Sequence, residues 1–85
     1  MDISKVTIYT TRTCPFCKME KEYLNSKSIQ YEEILVDERP EEAQKMIDMS
    51  GQLGVPFTVI KKEDGQEEKI LGFDKAKIDQ ILQII

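Results

Sequence analysis

Two rhythms of apolar and polar positions alternate along this chain, and the switches between them outline its elements. Residues 5–10 (Lys-Val-Thr-Ile-Tyr-Thr) are rich in β-branched and aromatic side chains, with Val6 and Ile8 two apart, the spacing of a half-buried strand. Thr11, Arg12 and Thr13 form a short polar loop. From Pro15 to about Lys27 the period changes. Phe16, Met19, Glu20, Tyr23 and Leu24 recur three and four residues apart, which predicts a helix whose lysines face elsewhere. Asn25 to Ser28 reads as its frayed end. Gln30 to Val36 returns to strand composition and closes on Ile34-Leu35-Val36.

After a turn from Asp37 to Pro40, a second helix is expected. Pro40 suits its first position, Glu41 and Glu42 lie at the positive end of its dipole, and Gly51 fits the residue past its last turn. Ala43, Met46, Ile47 and Ser50 continue it. Phe57 to Lys61 reads as a third strand and Glu68 to Leu71 as a fourth, joined through Asp64-Gly65, a dipeptide typical of type I′ hairpins. Asp74 is a candidate N-cap for a last helix with Ile78, Ile81, Leu82 and Ile85 on one face.

The resulting order is β-α-β-α-β-β-α. A strand–helix–strand unit implies a parallel pair with a right-handed crossover, while the hairpin adds an antiparallel pair. The expected fold is therefore an α/β domain with a four-stranded mixed sheet flanked by three helices. No linker interrupts the pattern, so residues 1–85 read as a single domain.

Composition narrows the function. The chain of 85 residues is 40% hydrophobic and 33% charged, with a mean hydropathy of −0.42, ordinary for a globular protein. Its net charge of −4 argues against a nucleic-acid partner, which calls for a basic face. The acidic excess, in 32–48 and 63–68, reads as solvated surface. No apolar run approaches the roughly 20 residues of a membrane span, and Met1 to Lys5 lacks the apolar core of a signal peptide. A cytoplasmic monomer is expected. There are two cysteines and no histidine.

Those cysteines sit in Thr13-Cys14-Pro15-Phe16-Cys17-Lys18, where the first strand hands over to the first helix. Pro15 suits the first helical position, which puts Cys14 at the N-cap and Cys17 in the first turn. The unpaired N–H groups of that turn carry partial positive charge and favour a thiolate at Cys14. Arg12, Lys18 and Lys21 can add to that potential, and each pKa unit of depression needs only about 1.4 kcal/mol. Cys14 is the candidate nucleophile toward a disulfide, and Cys17 the thiol that resolves the resulting mixed disulfide. No metal is needed. Three blander readings compete. A structural disulfide closing about four residues would contribute only about 2 kcal/mol. A structural zinc site needs four Cys or His ligands, which one chain does not supply. Two buried cysteines could also act as plain hydrophobes. The proline and the strand-to-helix position argue against this last reading, and the expected cytoplasmic location against the first.

With these residues the chain resembles a glutaredoxin, within the thioredoxin-fold superfamily. The likeness rests on Tyr9-Thr10, Cys14-Pro15-Phe16-Cys17, Ser50-Gly51 with Gly54-Val55-Pro56, and Gly72-Phe73-Asp74. It implies a thioredoxin-like fold, a redox-active Cys14–Cys17 disulfide serving electron transport and cell redox homeostasis, and a cis peptide at Val55-Pro56 beside Cys14. It also implies glutathione as co-substrate, with no tightly bound cofactor. On this resemblance the Val55 backbone would pair with glutathione, Phe73 and Asp74 would receive its γ-glutamyl end, and Arg12 would stand in for a lysine that meets its carboxylate. Phe16 would contact the substrate. The segment departs from the family pattern in lacking a second glycine and a cysteine before Asp74.

Two alternatives stay open. Gly72-Phe73 also resembles the glutaredoxin-like hydrogen donors of ribonucleotide reductase, which are recharged by thioredoxin reductase, although Arg-Pro is absent after it. In such a donor Phe16 and Phe73 would be apolar docking contacts, with Phe73 expected in the core and Phe16 exposed. A dimer bridging an iron–sulfur cluster through Cys14 is the other alternative. The substrates expected in the first two readings are disulfide-containing proteins or glutathione mixed disulfides.

Overall fold

A computed structural model describes residues 3–52 and 54–82. Ile85, expected on the last helix, and Met1 and Asp2 lie outside the described residues. The elements run β1 (Ile3–Thr10), α1 (Pro15–Ser26), β2 (Glu32–Leu35), α2 (Pro40–Ser50), β3 (Phe57–Lys62), β4 (Glu67–Leu71) and α3 (Lys75–Leu82). The sheet order is β2-β1-β3-β4. β1 runs parallel to β2 and antiparallel to β3, and β3 is antiparallel to β4. The four-stranded mixed sheet expected from the sequence is present, and its order places β1 and β3 at the centre.

Alternation along the central strands separates two cores. Val6, Ile8, Ile60 and Ile70 meet Leu24 of α1 and Ile78 and Leu82 of α3 on one face. Tyr9, Phe57, Val59, Ile34 and Val36 meet Met46 of α2 on the other. Each of these large apolar side chains contributes about 1.5–3 kcal/mol on burial, so the sandwich of helix, sheet and helix follows from strand period alone.

Three expectations need correction. First, Met19 does not join the inner stripe of α1 but is exposed, as is Phe16, which shares its helical spacing but was expected to be exposed. The buried positions are Cys17, Glu20 and Leu24, which share the i, i+3, i+7 spacing of one helical face. Second, the β3–β4 hairpin is not type I′, which requires positive φ at two successive residues. Only Gly65, at φ 92°, is in the left-handed region there. The Gly65 N–H bonds the Lys62 carbonyl and the Lys62 N–H bonds the Gln66 carbonyl, the pattern of a type I turn followed by a glycine bulge. Third, β2 is shorter than expected, although the Val36 N–H still reaches the Thr10 carbonyl at 2.9 Å. Gly51 ends α2 with φ 79°, and Asp74 caps α3 by accepting from the Lys77 N–H at 3.1 Å, both as the sequence implied.

Candidate functional site

The carboxyl end of β1 delivers the chain into Cys14 just as α1 begins. Cys14 is the N-cap, with extended backbone, and Pro15 opens the helix. The Cys14 sulfur accepts the Cys17 N–H at 3.1 Å. An orphan donor of the first turn is therefore satisfied by sulfur, the arrangement that favours its anionic form. Cys14 and Cys17 are joined as a disulfide with Cα atoms 5.2 Å apart, well inside the span such a bridge allows. Cys17 is only 1% exposed, whereas Cys14 is half-buried and Pro15 and Phe16 are exposed. One sulfur faces outward and the other inward.

The second wall comes from the loop before β3. The Val55–Pro56 peptide is cis, as the resemblance implied, and the Val55 carbonyl oxygen lies 3.8 Å from the Cys14 sulfur. The third wall follows β4. The Gly72 N–H bonds the Pro56 carbonyl at 2.8 Å, which draws the Gly72-Phe73-Asp74 segment beside the proline loop. Gly72 has φ 74°, a conformation other residues adopt at a cost. Phe73 is half-buried against the α1–α3 core and stacks at a tilt on Tyr23, with ring centroids 6.1 Å apart. It is thus a core-edge residue, while Phe16, 59% exposed, stands free beside the cysteines. Asp74 is committed locally: its carboxylate caps α3 and its N–H bonds the Gly72 carbonyl.

The cations around Cys14 are less available than their sequence positions suggested. Arg12 pairs with Asp37 at 3.2 Å and Glu38 at 3.3 Å. The parallel register explains this, because Thr10 lies opposite Leu35 and Arg12 and Asp37 are each two residues further on. Burial works to raise the Asp37 carboxyl, but hydrogen bonds from the Arg12 side chain and backbone hold it below the usual carboxylate range. Lys21 is likewise spent on Glu33, at 2.6 Å. Burial favours the protonated Glu33, yet Lys21 and the Thr10 hydroxyl together keep it below the usual range. Among the described residues, only Lys18 of the three expected cations makes no ion pair. The partial charge of the helix N-terminus is left as the main support for a Cys14 thiolate.

One residue was placed on the α1 stripe by the sequence but given no role there. Glu20 is wholly buried, accepts from the Thr58 hydroxyl at 2.5 Å through Oε2, and has no partner at Oε1. Burial pushes its carboxyl above the usual range, opposed by the Thr58 hydrogen bond. The available signal was a carboxylate on an otherwise apolar helical stripe. No helix among the described residues is long and apolar enough to cross a membrane, and no group of metal-ligating side chains is found among them.

Comparison with known proteins adds the following. The family model described as glutaredoxin matches residues 6–64. An uncharacterised glutaredoxin-like 8.6 kDa protein in the rubredoxin operon of Clostridium pasteurianum is 42% identical over 78 residues, spanning 92% of this chain and 97% of that one. The glutaredoxin-like protein NrdH of Lactococcus lactis strain IL1403 is 42% identical over 59 residues, 69% of this chain and 78% of that one. The crystal structure of a glutaredoxin from Archaeoglobus fulgidus superposes with a TM-score of 0.79 at 27% identity, covering 94% of this chain and 87% of that one.

Proposed function

The chain belongs to the glutaredoxin family, whose chemistry is thiol–disulfide exchange, and we propose that it reduces protein disulfides and glutathione mixed disulfides through a Cys14 nucleophile and a Cys17 resolving thiol. The observation that carries the reading is the difference in exposure of the two sulfurs: Cys17 is buried, and Cys14 is within reach of solvent at a helix N-cap. In the reduced pair, the Cys14 thiolate attacks one substrate sulfur. The substrate S–S bond breaks, and the departing thiolate takes a proton from water. A mixed disulfide remains on Cys14. The Cys17 thiol then loses its proton and attacks the Cys14 sulfur, releasing the second substrate thiolate and closing Cys14–Cys17. Two electrons pass from the pair to the substrate, and no bound cofactor takes part.

Glutathione is the proposed source of the electrons that reopen the bridge. The Val55 backbone, next to Cys14, is placed to pair with an extended peptide, and the Phe73-Asp74 segment lies on the same side through the Gly72–Pro56 hydrogen bond. Arg12 contributes little to this reading, since Asp37 and Glu38 already occupy it. That same pairing favours a second reading, in which a thioredoxin reductase recharges the protein and no glutathione carboxylate has to be bound. Similarity to a protein named NrdH agrees with this second reading.

An electron-source assay decides between them. NADPH oxidation is followed with a small disulfide substrate, supplied either with glutathione and its reductase or with thioredoxin reductase. Turnover with glutathione supports the first reading, and turnover only with thioredoxin reductase the second. Turnover with neither overturns the oxidoreductase assignment. Cys14→Ser should abolish all exchange. Cys17→Ser should lose protein-disulfide reduction and keep deglutathionylation, and the opposite pattern would reverse the two roles.

A further inference from the structure

Among the described residues, three large apolar side chains stay exposed: Phe16, Met19 and Leu71. Two of them lie on α1, and they are not scattered. Phe16 and Met19 are three residues apart, and Met19 and Tyr23 four, so all three share one flank of the helix. This flank is not the one that carries Cys17, Glu20 and Leu24 into the core. At its inner end it meets α3. The Tyr23 ring packs on Phe73 with centroids 6.1 Å apart, and the Tyr23 hydroxyl donates to Asp79 of α3. An apolar stripe thus begins at Phe16, two residues past Cys14, and ends where α1 and α3 come together.

The far end of the stripe is positively charged. Lys75 Nζ lies 4.9 Å and Lys27 Nζ 5.8 Å from the centre of the Tyr23 ring. Helical side chains lean toward the N-terminus, which is how Lys27 reaches back over Tyr23. One carboxylate stands between the two lysines: Asp79 pairs with Lys75 at 3.1 Å, while Lys27 makes no ion pair among the described residues. Two cations against one carboxylate leave a positive charge over. Glu22 does not cancel it, since it lies one residue before Tyr23 and so about 100° round the helix. The Asp74 carboxylate is held by the Lys77 N–H. This local excess stands in a chain whose net charge is −4.

From Cys14 to Tyr23 the helix rises about 14 Å, a distance that an extended segment covers in about four residues. We propose that the Phe16–Met19–Tyr23 stripe is the docking track for a protein substrate, and that it selects an extended, apolar segment whose disulfide cysteine lies about four residues from a carboxylate. With the cysteine at Cys14, the apolar residues cover Phe16 and Met19, and the carboxylate meets Lys27 and Lys75. The same two lysines turn away a basic segment, which the net charge of the whole chain would attract. Local and overall charge therefore favour opposite substrates, and that opposition makes the docking track measurable. The inference rests on the oxidoreductase reading and names the substrate class of that site.

The test mixes pre-reduced protein, in excess, with symmetric peptide disulfides that carry Glu, Gln or Lys four residues to either side of a single cysteine in an otherwise identical, partly apolar sequence. Free peptide thiol is measured after acid quenching. The wild type should reduce the Glu dimer about tenfold faster than the Lys dimer at low ionic strength, the scale of two exposed ion pairs. The ratio should fall toward one at high salt. Lys27→Gln combined with Lys75→Gln should remove the ratio and leave the rate on the Gln dimer unchanged. Met19→Glu, a change at an exposed position, should slow the Gln dimer about fivefold while reduction of bis(2-hydroxyethyl) disulfide, too small to reach the stripe, keeps its wild-type rate. Equal wild-type rates on the Glu and Lys dimers overturn the proposal, as does a ratio that survives in the double variant or a Met19→Glu protein as fast as wild type on the Gln dimer. A wild type that leaves bis(2-hydroxyethyl) disulfide unreduced overturns the oxidoreductase reading, and this proposal with it.

Discussion

On the α2 side of the sheet, Tyr9, Ile34, Val36, Met46, Phe57 and Val59 form a cluster that is hydrophobic apart from one tyrosine hydroxyl. On the α1–α3 side the hydrophobic set of Val6, Ile8, Leu24, Ile60, Ile70, Ile78 and Leu82 gives way, toward the cysteines, to buried Thr10, Thr58 and Glu20. The strands are shared, so the contrast is not one of strand propensity. It arises from which side chains alternate toward which helix: Ile8 and Thr10 point one way and Tyr9 the other, and Thr58 and Ile60 oppose Phe57 and Val59. The α2 face does one thing, which is to exclude water. The α1 face does the same at the end far from the cysteines and carries polar groups at the end near them. Polar burial lowers stability unless it is satisfied, and here it is satisfied by the bonds of Thr10 to Glu33 and of Thr58 to Glu20, with one Glu20 oxygen left over.

The largest effect should come from damaging the face with a single role. Met46→Ala removes a fully buried side chain of α2 and should cost about 2–5 kcal/mol in urea unfolding. The rate of Cys14 alkylation per folded molecule should stay at its wild-type value. A variant with both properties changed would break the separation of the two faces.

Next comes the polar end of the other face. Thr58→Val leaves Glu20 without its one donor, at an expected cost of about 1–3 kcal/mol. The sign of its pH dependence follows from burial. A carboxyl raised in the folded state binds its proton more tightly there than in the unfolded chain. Its stabilising contribution is whole below the unfolded carboxylate value, near 4.3, and is lost as pH rises through the folded value. The Thr58 hydrogen bond holds the Glu20 carboxyl down, so its removal raises the folded value further. The stability gap between wild type and Thr58→Val should therefore widen from pH 5 to pH 8. A gap that narrows would mean that Glu20 is paired with a positive charge.

Much of this contrast was legible in the sequence, and its limits are physical. Strand period separated Val6 and Ile8 from Tyr9, Pro15 and Pro40 marked two helix starts, and Asp74 and Gly51 marked a cap and a stop. The phase of α1 was misjudged because Met19 looks like a core residue. Cys17, small and apolar, took the inner position instead, and its neighbour three residues on had to be Glu20. Arg12 was misjudged for a different reason. A residue's charge partners depend on strand register, and only the parallel pairing of Thr10 with Leu35 shows that Asp37 ends beside it. The hairpin turn failed on a subtler count: Asp64-Gly65 fits two turn types, and loop length, not the dipeptide, selects between them.

A smaller effect is expected where α3 begins. Asp74→Ala removes the bond to the Lys77 N–H and should cost about 1 kcal/mol. If Asp74 serves only as a cap, Asp74→Ser should restore the stability and leave glutathione turnover at the wild-type level. Turnover that stays low in Asp74→Ser, with stability recovered, would show a separate part for the carboxylate in binding.

The smallest effect is expected at Arg12, and it bears on the contrast because Arg12 lies in solvent just past the Thr10 end of β1. Its ion pairs with Asp37 and Glu38 join exposed side chains, and such pairs contribute little and weaken with salt. Arg12→Gln should therefore leave the unfolding midpoint within measurement scatter and change glutathione-dependent turnover by no more than about twofold. Asp37→Asn with Glu38→Gln is the informative partner experiment, because it frees the guanidinium. If glutathione turnover then rises, and rises less at high ionic strength, the carboxylates of the β2–α2 turn have been masking a substrate-binding cation. If it does not change, charge at the rim is irrelevant to the reaction, and the electrostatics that matter at this corner are those of the helix N-terminus at Cys14.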